Sequence, residues 1–199
     1  MSTRVALITG GVRGIGRATA LALAQRGWTI AACYRTNVTA AAELESMLRA
    51  LGPGGMVIPA DVSIPRNAES LVRQIEDAYG RIDALINCIG SYHRVHLMKE
   101  SIEGWHAMFD SNLHPVFYLC RAAVPGMIQR GWGRIVNLAS RAGLEGARYG
   151  AHYSAAKHAV VGLTRSVAME VEGKGVTVNA LCPGYADTPM TQELIATVQ

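Results

Sequence analysis

Val5-Ala6-Leu7-Ile8-Thr9-Gly10-Gly11-Val12-Arg13-Gly14-Ile15-Gly16 is the stretch that decides how this chain folds. Its first five residues are an apolar run of strand length, fit for a strand buried on both faces. The glycines that follow make a turn, and residues 17–26 carry a helical pattern that Gly27 ends. Residues 28–33 read as a second strand. Strand, glycine turn, helix, strand is a parallel-sheet crossover. In such a unit the glycines let the backbone turn tightly and approach a pyrophosphate, while the helix N-terminus offers N–H donors and a positive dipole. Gly10, Arg13, Gly14, Ile15 and Gly16 are therefore candidate cofactor contacts. The spacing is G-x-x-x-G-x-G, not the G-x-G-x-x-G of the common dinucleotide fingerprint.

Charge around this unit narrows the ligand. The first 42 residues carry Arg4, Arg13, Arg17, Arg26 and Arg35 and no acid; Glu43 is the first. A cationic first quarter points to a small anionic ligand. An acid about 20 residues past the glycines would bind the ribose 2′-hydroxyl of NAD. The second strand instead ends Cys33-Tyr34-Arg35-Thr36-Asn37. Arg35, with Arg13 in reach of the same region, suits the 2′-phosphate of NADP. NADP is the expected cofactor, with NAD as the alternative.

Working outward, residues 37–51 read as a helix capped near Asn37 or Thr39 and stopped by Gly52-Pro53-Gly54-Gly55. Residues 56–60 are a third strand, followed by Asp61-Val62. Asp61 either accepts from an adenine amino group or caps the next turn. A helix from Pro65 to Tyr79 stops at Gly80, and residues 83–87 form a fourth strand, ending Asn87-Cys88-Ile89-Gly90. Gly90 again lets backbone come close to a ligand. Residues 101–130 read as one long helical stretch with a fault in it: Asn112 competes with the backbone and Pro115 removes an N–H. Rule-breaking of this kind often marks a site. Residues 116–127 are apolar almost all round, as if packed on a sheet on one side and another subunit on the other. A fifth strand, 134–139, ends at Ser140. A glycine-rich loop leads to a helix over 152–169, and a sixth strand, 176–182, ends in Pro183-Gly184. Asp187-Thr188-Pro189-Met190 then opens a polar segment to Gln199.

Six strands alternating with helices, with no linker and no repeat, make one doubly wound α/β domain over residues 1–199: a three-layer, Rossmann-type parallel sheet. Its ligands bind outside the carboxyl ends of the strands. The 152–169 helix brings Tyr153 and Lys157, four apart, onto one face. A phenol has a pKa near ~10, and work at neutral pH asks for a drop of roughly three units, about 4 kcal/mol, much of which a fixed cation can supply.

Bulk properties exclude other classes. Half the residues are hydrophobic, 17% are charged, and the net charge is +4. No apolar run reaches the ~18 residues of a membrane span. No Lys/Arg run interleaves with aromatics, which argues against nucleic acid. Cys33, Cys88, Cys120 and Cys182 are far apart without metal-ligand spacing, so buried free thiols in a reducing cytoplasm are expected and no metal. His93, Arg94 and His96 read as a solvated loop, or as a face for a carrier phosphate.

Taken together, Thr9-Gly10-x-x-x-Gly14-Ile15-Gly16, Asp61, Asn87-x-x-Gly90, Asn112, Ser140, Tyr153-x-x-x-Lys157 and Pro183-Gly184 resemble the short-chain dehydrogenase/reductase family. Within it, residues 131–137 and 153–164 are most similar to 3-oxoacyl-thioester reductases of fatty-acid and polyketide metabolism. The resemblance implies hydride transfer from NADPH to a ketone or 3-oxoacyl thioester. Tyr153 would be the proton donor. Lys157 would lower the Tyr153 pKa and hold the nicotinamide ribose, Ser140 would bind the substrate oxygen, and Asn112 would hold a water. Gly10, Arg13, Gly14, Ile15, Gly16, Arg35, Asp61, Val62, Asn87, Gly90, Tyr153, Lys157, Pro183, Gly184 and Thr188 would contact the cofactor. It also implies a homodimer or homotetramer. Family members continue past this point with a lid, a helix and a seventh strand, so the seventh strand is expected to be absent and the lid incomplete. The alternatives are an NAD-dependent alcohol or 3-hydroxyacyl dehydrogenase, and a cofactor-binding protein without turnover.

Overall fold

The computed structural model describes residues 3–52, 54–188 and 191–192. Pro53 of the expected helix stop, and Pro189, Met190 and residues 193–199 of the polar segment, lie outside them. The elements run β1 (Val5–Thr9), α1 (Gly14–Ala24), β2 (Thr29–Tyr34), α2 (Val38–Leu51), β3 (Gly55–Pro59), α3 (Pro65–Tyr79), β4 (Ala84–Asn87), α4 (Ile102–Asn112), α5 (His114–Gln129), β5 (Gly133–Leu138), α6 (Ala151–Glu170) and β6 (Val176–Leu181). The strands form one sheet in the order β3-β2-β1-β4-β5-β6, parallel at each pairing. This is the expected doubly wound architecture. The winding reverses between β1 and β4, which opens a crevice at their carboxyl ends.

β1 lies between β2 and β4, and all five of its residues are buried. Its pleat divides them. Val5 and Leu7 face a core made with α3, α5 and α6, whereas Ala6 and Ile8 face one made with α1 and α2. Burying Leu7 and Ile8 contributes about 1.5–3 kcal/mol each. At the far edge, β6 buries Val176 and Val178 and leaves Thr177, Asn179 and Leu181 exposed.

The helical fault at Asn112 to Pro115 resolves as two helices, not one long one. Leu113 joins them at φ −107°, ψ −55°. Pro115 sits in the first turn of α5, where its missing N–H costs nothing. The Asn112 amide donates to the Met108 and Ser91 carbonyls, both at 3.0 Å, tying the end of α4 to the loop after β4.

A polar row crosses the sheet inside this apolar core. Thr9, Asn87 and Asn137 are partners in register on β1, β4 and β5. Thr9 Oγ1 donates to Asn87 Oδ1 at 3.3 Å, Asn87 Nδ2 to Asn137 Oδ1 at 2.8 Å, and Asn137 Nδ2 to Thr164 Oγ1 of α6 at 3.0 Å. The Thr164 hydroxyl donates onward to the Val160 carbonyl at 2.7 Å. Each side-chain amide thus finds a partner, which is what makes burying it tolerable.

Candidate active site

The crevice is a cleft of about 540 Å³, within the range of small-molecule sites. Every site residue singled out above lines it except Asn87. The Asn87 side chain is turned beneath the cleft floor into the polar row, so the structure does not place it among the cofactor contacts. Alternation along β4 explains this: the strand's last residue packs inward, and Cys88 and Gly90 after it reach the cleft.

At the β1–β4 end the glycine turn lies close to the strand beside it. Gly10 has φ +62°, and a Cβ on it would stand 2.7 Å from the Cys88 carbonyl oxygen. Arg13 caps α1 without a side-chain hydrogen bond. Arg13 and Arg35 are exposed, and neither joins an ion pair among the described residues, whereas Arg17 is held by Glu43 at 3.1 Å. Two cations at the mouth are thus free to meet an anion. Of the two roles foreseen for Asp61, the structure shows the turn cap. Its Oδ1 accepts from the Ser63 hydroxyl at 2.6 Å and the Ser63 amide at 3.1 Å, capping the turn. The Ser63 hydroxyl bond, with the nearby Arg35 charge, holds its pKa low despite burial. Asn37, the other residue at this end, spends its Oδ1 on the Ala40 amide as the cap of α2.

At the β5–α6 end the groups are buried. The short turn Arg141–Gly143 begins at Ser140, whose Oγ accepts from the Ala142 amide at 3.2 Å and which lines the cleft beside Tyr153, where it pulls the phenol pKa down. Gly143 packs on the Lys157 backbone, which fixes that turn against α6. Lys157 is 3% exposed and donates to the Leu138 carbonyl at 2.9 Å. Burial pulls its pKa down to about 8, against a smaller opposing pull from Cys88 and Cys182. Gly90, at φ +150°, fits where no other residue would. A Cβ there would run into Asn112 Oδ1 and sit 3.2 Å from Lys157 Nζ. Asn112 Oδ1 is buried without a protein partner among the described residues.

One expectation is corrected here. The Tyr153 pKa is raised, not lowered: burial is the largest cause, and the Ser140 hydrogen bond opposes it without overcoming it. Lys157 does not reverse the sign because its ammonium is turned to the Leu138 carbonyl, 5.7 Å from the Tyr153 ring centroid, and is itself driven towards neutrality. The cysteine expectation also changes. All four are free, but only Cys33 and Cys120 are buried, while Cys88 lines the cleft with its thiol pushed up to about 12 by burial.

Sequence reading missed two features. The Tyr92 ring packs against Tyr153 with centroids 4.6 Å apart and the rings tilted by 60°. The side chains of His93, Glu100 and His152 meet behind the cleft wall. Neither has a local signal, because their partners are distant in the chain. Arg94 and Arg148 lie over the Tyr149 ring, at 5.4 and 4.9 Å, so the loop cations are held on an aromatic face.

Comparison with known proteins agrees with this geometry. The model of the short chain dehydrogenase family matches residues 4–199, and the chain belongs to that family of oxidoreductases. It is 39% identical over 196 residues to a 3-oxoacyl-[acyl-carrier-protein] reductase of Synechocystis sp., covering 98% of this chain and 79% of the relative. It is 40% identical over 189 residues to an acetoacetyl-CoA reductase of Allochromatium vinosum, covering 94% and 77%. Among solved structures, a variant of actinorhodin polyketide ketoreductase crystallised with NADPH matches with a TM-score of 0.92 at 34% identity, covering 100% of this chain and 78% of that one. Among the described residues, no helix is long and apolar enough to cross a membrane.

Proposed function

We propose that this protein is an NADPH-dependent reductase of 3-oxoacyl thioesters or similar ketones. The observation that carries the reading is the convergence of Ser140, Tyr153, buried Lys157 and the glycine turn on one cleft, with Arg13 and Arg35 at its mouth in no ion pair among the described residues. The two named relatives support the substrate class, and the structural neighbour supports the cofactor.

The cleft fits the cofactor on features of its own. The Gly10 turn leaves room that a Cβ would fill, and among the described residues the Asn112 Oδ1 has no hydrogen-bond partner and the two guanidiniums join no ion pair. Gly10, Gly14, Ile15 and Gly16 would hold the pyrophosphate against the α1 N-terminus, and Arg13 and Arg35 the 2′-phosphate. Asp61 keeps one carboxylate oxygen for the adenine, with Val62 beside it. Gly90 and Lys157 would hold the nicotinamide ribose, and Pro183, Gly184 and Thr188 the carboxamide. When bound, NADPH supplies the hydride that reduces a carbonyl carbon.

The chain's own residues supply the rest. Ser140 donates to the substrate carbonyl oxygen and orients it towards Tyr153. Tyr153 gives its hydroxyl proton to that oxygen as negative charge develops there. With its pKa raised by burial, the Tyr153 phenol is protonated near neutral pH and so has a proton to give. Lys157, with Asn112 beside it across Gly90, returns a proton towards Tyr153. The exposed Trp105 of α4 and Phe117 of α5 supply apolar surface for pairing with a second copy, so a homodimer or homotetramer belongs to the same reading.

Following nicotinamide absorbance with NADPH and acetoacetyl-CoA tests this. Turnover that is lost in Tyr153→Phe is the expected result. No turnover by the wild type, with NADPH still bound, would leave a cofactor-binding protein and sink the reductase reading.

A further inference from the structure

Three side chains that the proposed chemistry does not use converge behind the substrate wall. His93 comes from the loop after β4, Glu100 from the segment before α4, and His152 from the first turn of α6. His152 Nδ1 lies 3.1 Å from Glu100 Oε2, and His93 Nε2 lies 3.9 Å from the same oxygen. One donor atom from each residue falls within 4.8 Å of the others. The two imidazoles lie together, tilted by 41°, with centroids 4.5 Å apart.

The polar groups of this cluster are poorly satisfied as they stand. His152 is 1% exposed, and neither its Nε2 nor Glu100 Oε2 has a hydrogen-bond partner among the described residues. Oε2 lies close to the His152 ring nitrogen without making a hydrogen bond to it. An oxygen and a ring nitrogen this close and not hydrogen-bonded are placed to share a cation. A tetrahedron with metal bonds of about 2.0–2.2 Å has edges of roughly 3.3 Å. The short pair is already near that. The long pair closes by a rotation of His93, whose side chain is 53% exposed. Two imidazole nitrogens and one carboxylate oxygen favour a borderline ion over magnesium or calcium, which prefer all-oxygen sets.

The geometry points to a zinc-class divalent cation site formed by His93, Glu100 and His152, with its remaining position open to water on the His93 side. None of the three lines the cleft, so the ion does not polarise a substrate carbonyl. Its place in the chain gives it another role. His93 follows Tyr92, His152 precedes Tyr153, and the two tyrosine rings pack against each other. A cation here ties the loop after β4 to α6 one residue away from Tyr153. It thereby holds the substrate wall in place without touching the reacting atoms.

The test uses the full-length protein stripped with a chelator and titrated with Zn²⁺ in a calorimeter, and with Co²⁺ in an absorption spectrometer. One Zn²⁺ per chain is expected, in preference to Mg²⁺, with a thermal midpoint that rises with zinc concentration. His93→Ala, at an exposed position, weakens binding more than about 10-fold and abolishes the visible Co²⁺ bands. Glu100→Gln does the same, while His106→Ala on the exposed side of α4 leaves binding unchanged. On the ketone assay, zinc changes KM more than kcat, and His93→Ala removes that change. Absence of one-to-one zinc binding by the wild type overturns the site. So does equal affinity in wild type, His93→Ala and Glu100→Gln. The binding and thermal readouts are independent of whether the ketone is the right substrate.

Discussion

The two ends of the cleft handle charge in opposite ways. At the β1–β2 end the cations are exposed and unpaired, and backbone groups and a turn cap do most of the positioning. At the β5–α6 end a lysine is 3% exposed, a phenol is desolvated, and an asparagine oxygen is orphaned. The first arrangement suits recognition: an exposed guanidinium costs little to keep and gains when an anion arrives. The second suits chemistry, because a buried charge is held at a cost that only a function explains. Substitutions should therefore separate the ends, the one changing affinity and the other changing rate and stability.

The largest effect is expected at Tyr153. Tyr153→Phe removes the donated proton and keeps the ring on Tyr92, so kcat falls by roughly 10²–10⁴ while NADPH affinity holds within about two-fold. Single-turnover kinetics alongside cofactor titration check it. Equal losses in both would merge the two ends.

Next in size is a stability effect of the opposite sign. Lys157 has a folded-state pKa of about 8 against an ordinary 10.5, so the unfolded chain holds that proton more tightly. The penalty is full below pH 8 and relieved as pH rises towards 10.5, worth about 3 kcal/mol. Lys157→Met is expected to be inactive yet more stable at pH 7.5, with the gap narrowing at pH 10. Denaturant midpoints of both proteins at both pH values decide this.

Smaller again, Arg35→Ser at the recognition end weakens NADPH by about 10–100-fold, leaves NADH nearly unchanged and spares kcat at saturation. Preference for NADH in the unsubstituted protein would remove the assignment of the two arginines. The smallest change is Asp61→Asn. It loses the charge that strengthens the Ser63 contacts, at about 1 kcal/mol of stability, and weakens cofactor binding by only a few-fold. Thermal melts with and without NADPH measure both.

Much of this was legible in the chain because the relevant signals are local. The apolar run of β1 followed by glycines, the Pro65 start and Gly80 stop of α3, and the four-residue step from Tyr153 to Lys157 are each contained within one element. What escaped depends on direction and on distant partners. Nothing in residues 83–90 says that Asn87 turns down to Asn137 while Gly90 faces the cleft. The sign of the Tyr153 shift turns on how deeply neighbouring elements bury it, which spacing does not carry. The join at Leu113 was readable as a fault but not as a boundary, because the Asn112 amide bonds that end α4 reach back to Ser91. His93, Glu100 and His152 belong to three segments that only the fold brings together.

The polar row of Thr9, Asn87 and Asn137 also bears on how the sheet finds its alignment. Strands of small aliphatic residues, such as β1 and β4, would keep every apolar face inward after a slip of two positions, so hydrophobicity alone leaves them degenerate. A slip of that size would set Asn87 against Leu7 or Ile135 and strand both amides in hydrocarbon. Three residues that make no chemistry thus act as a vernier. They select one alignment among near-equals, and with it the level at which the strands end and the glycine turn, Gly90 and Ser140 stand opposite one another.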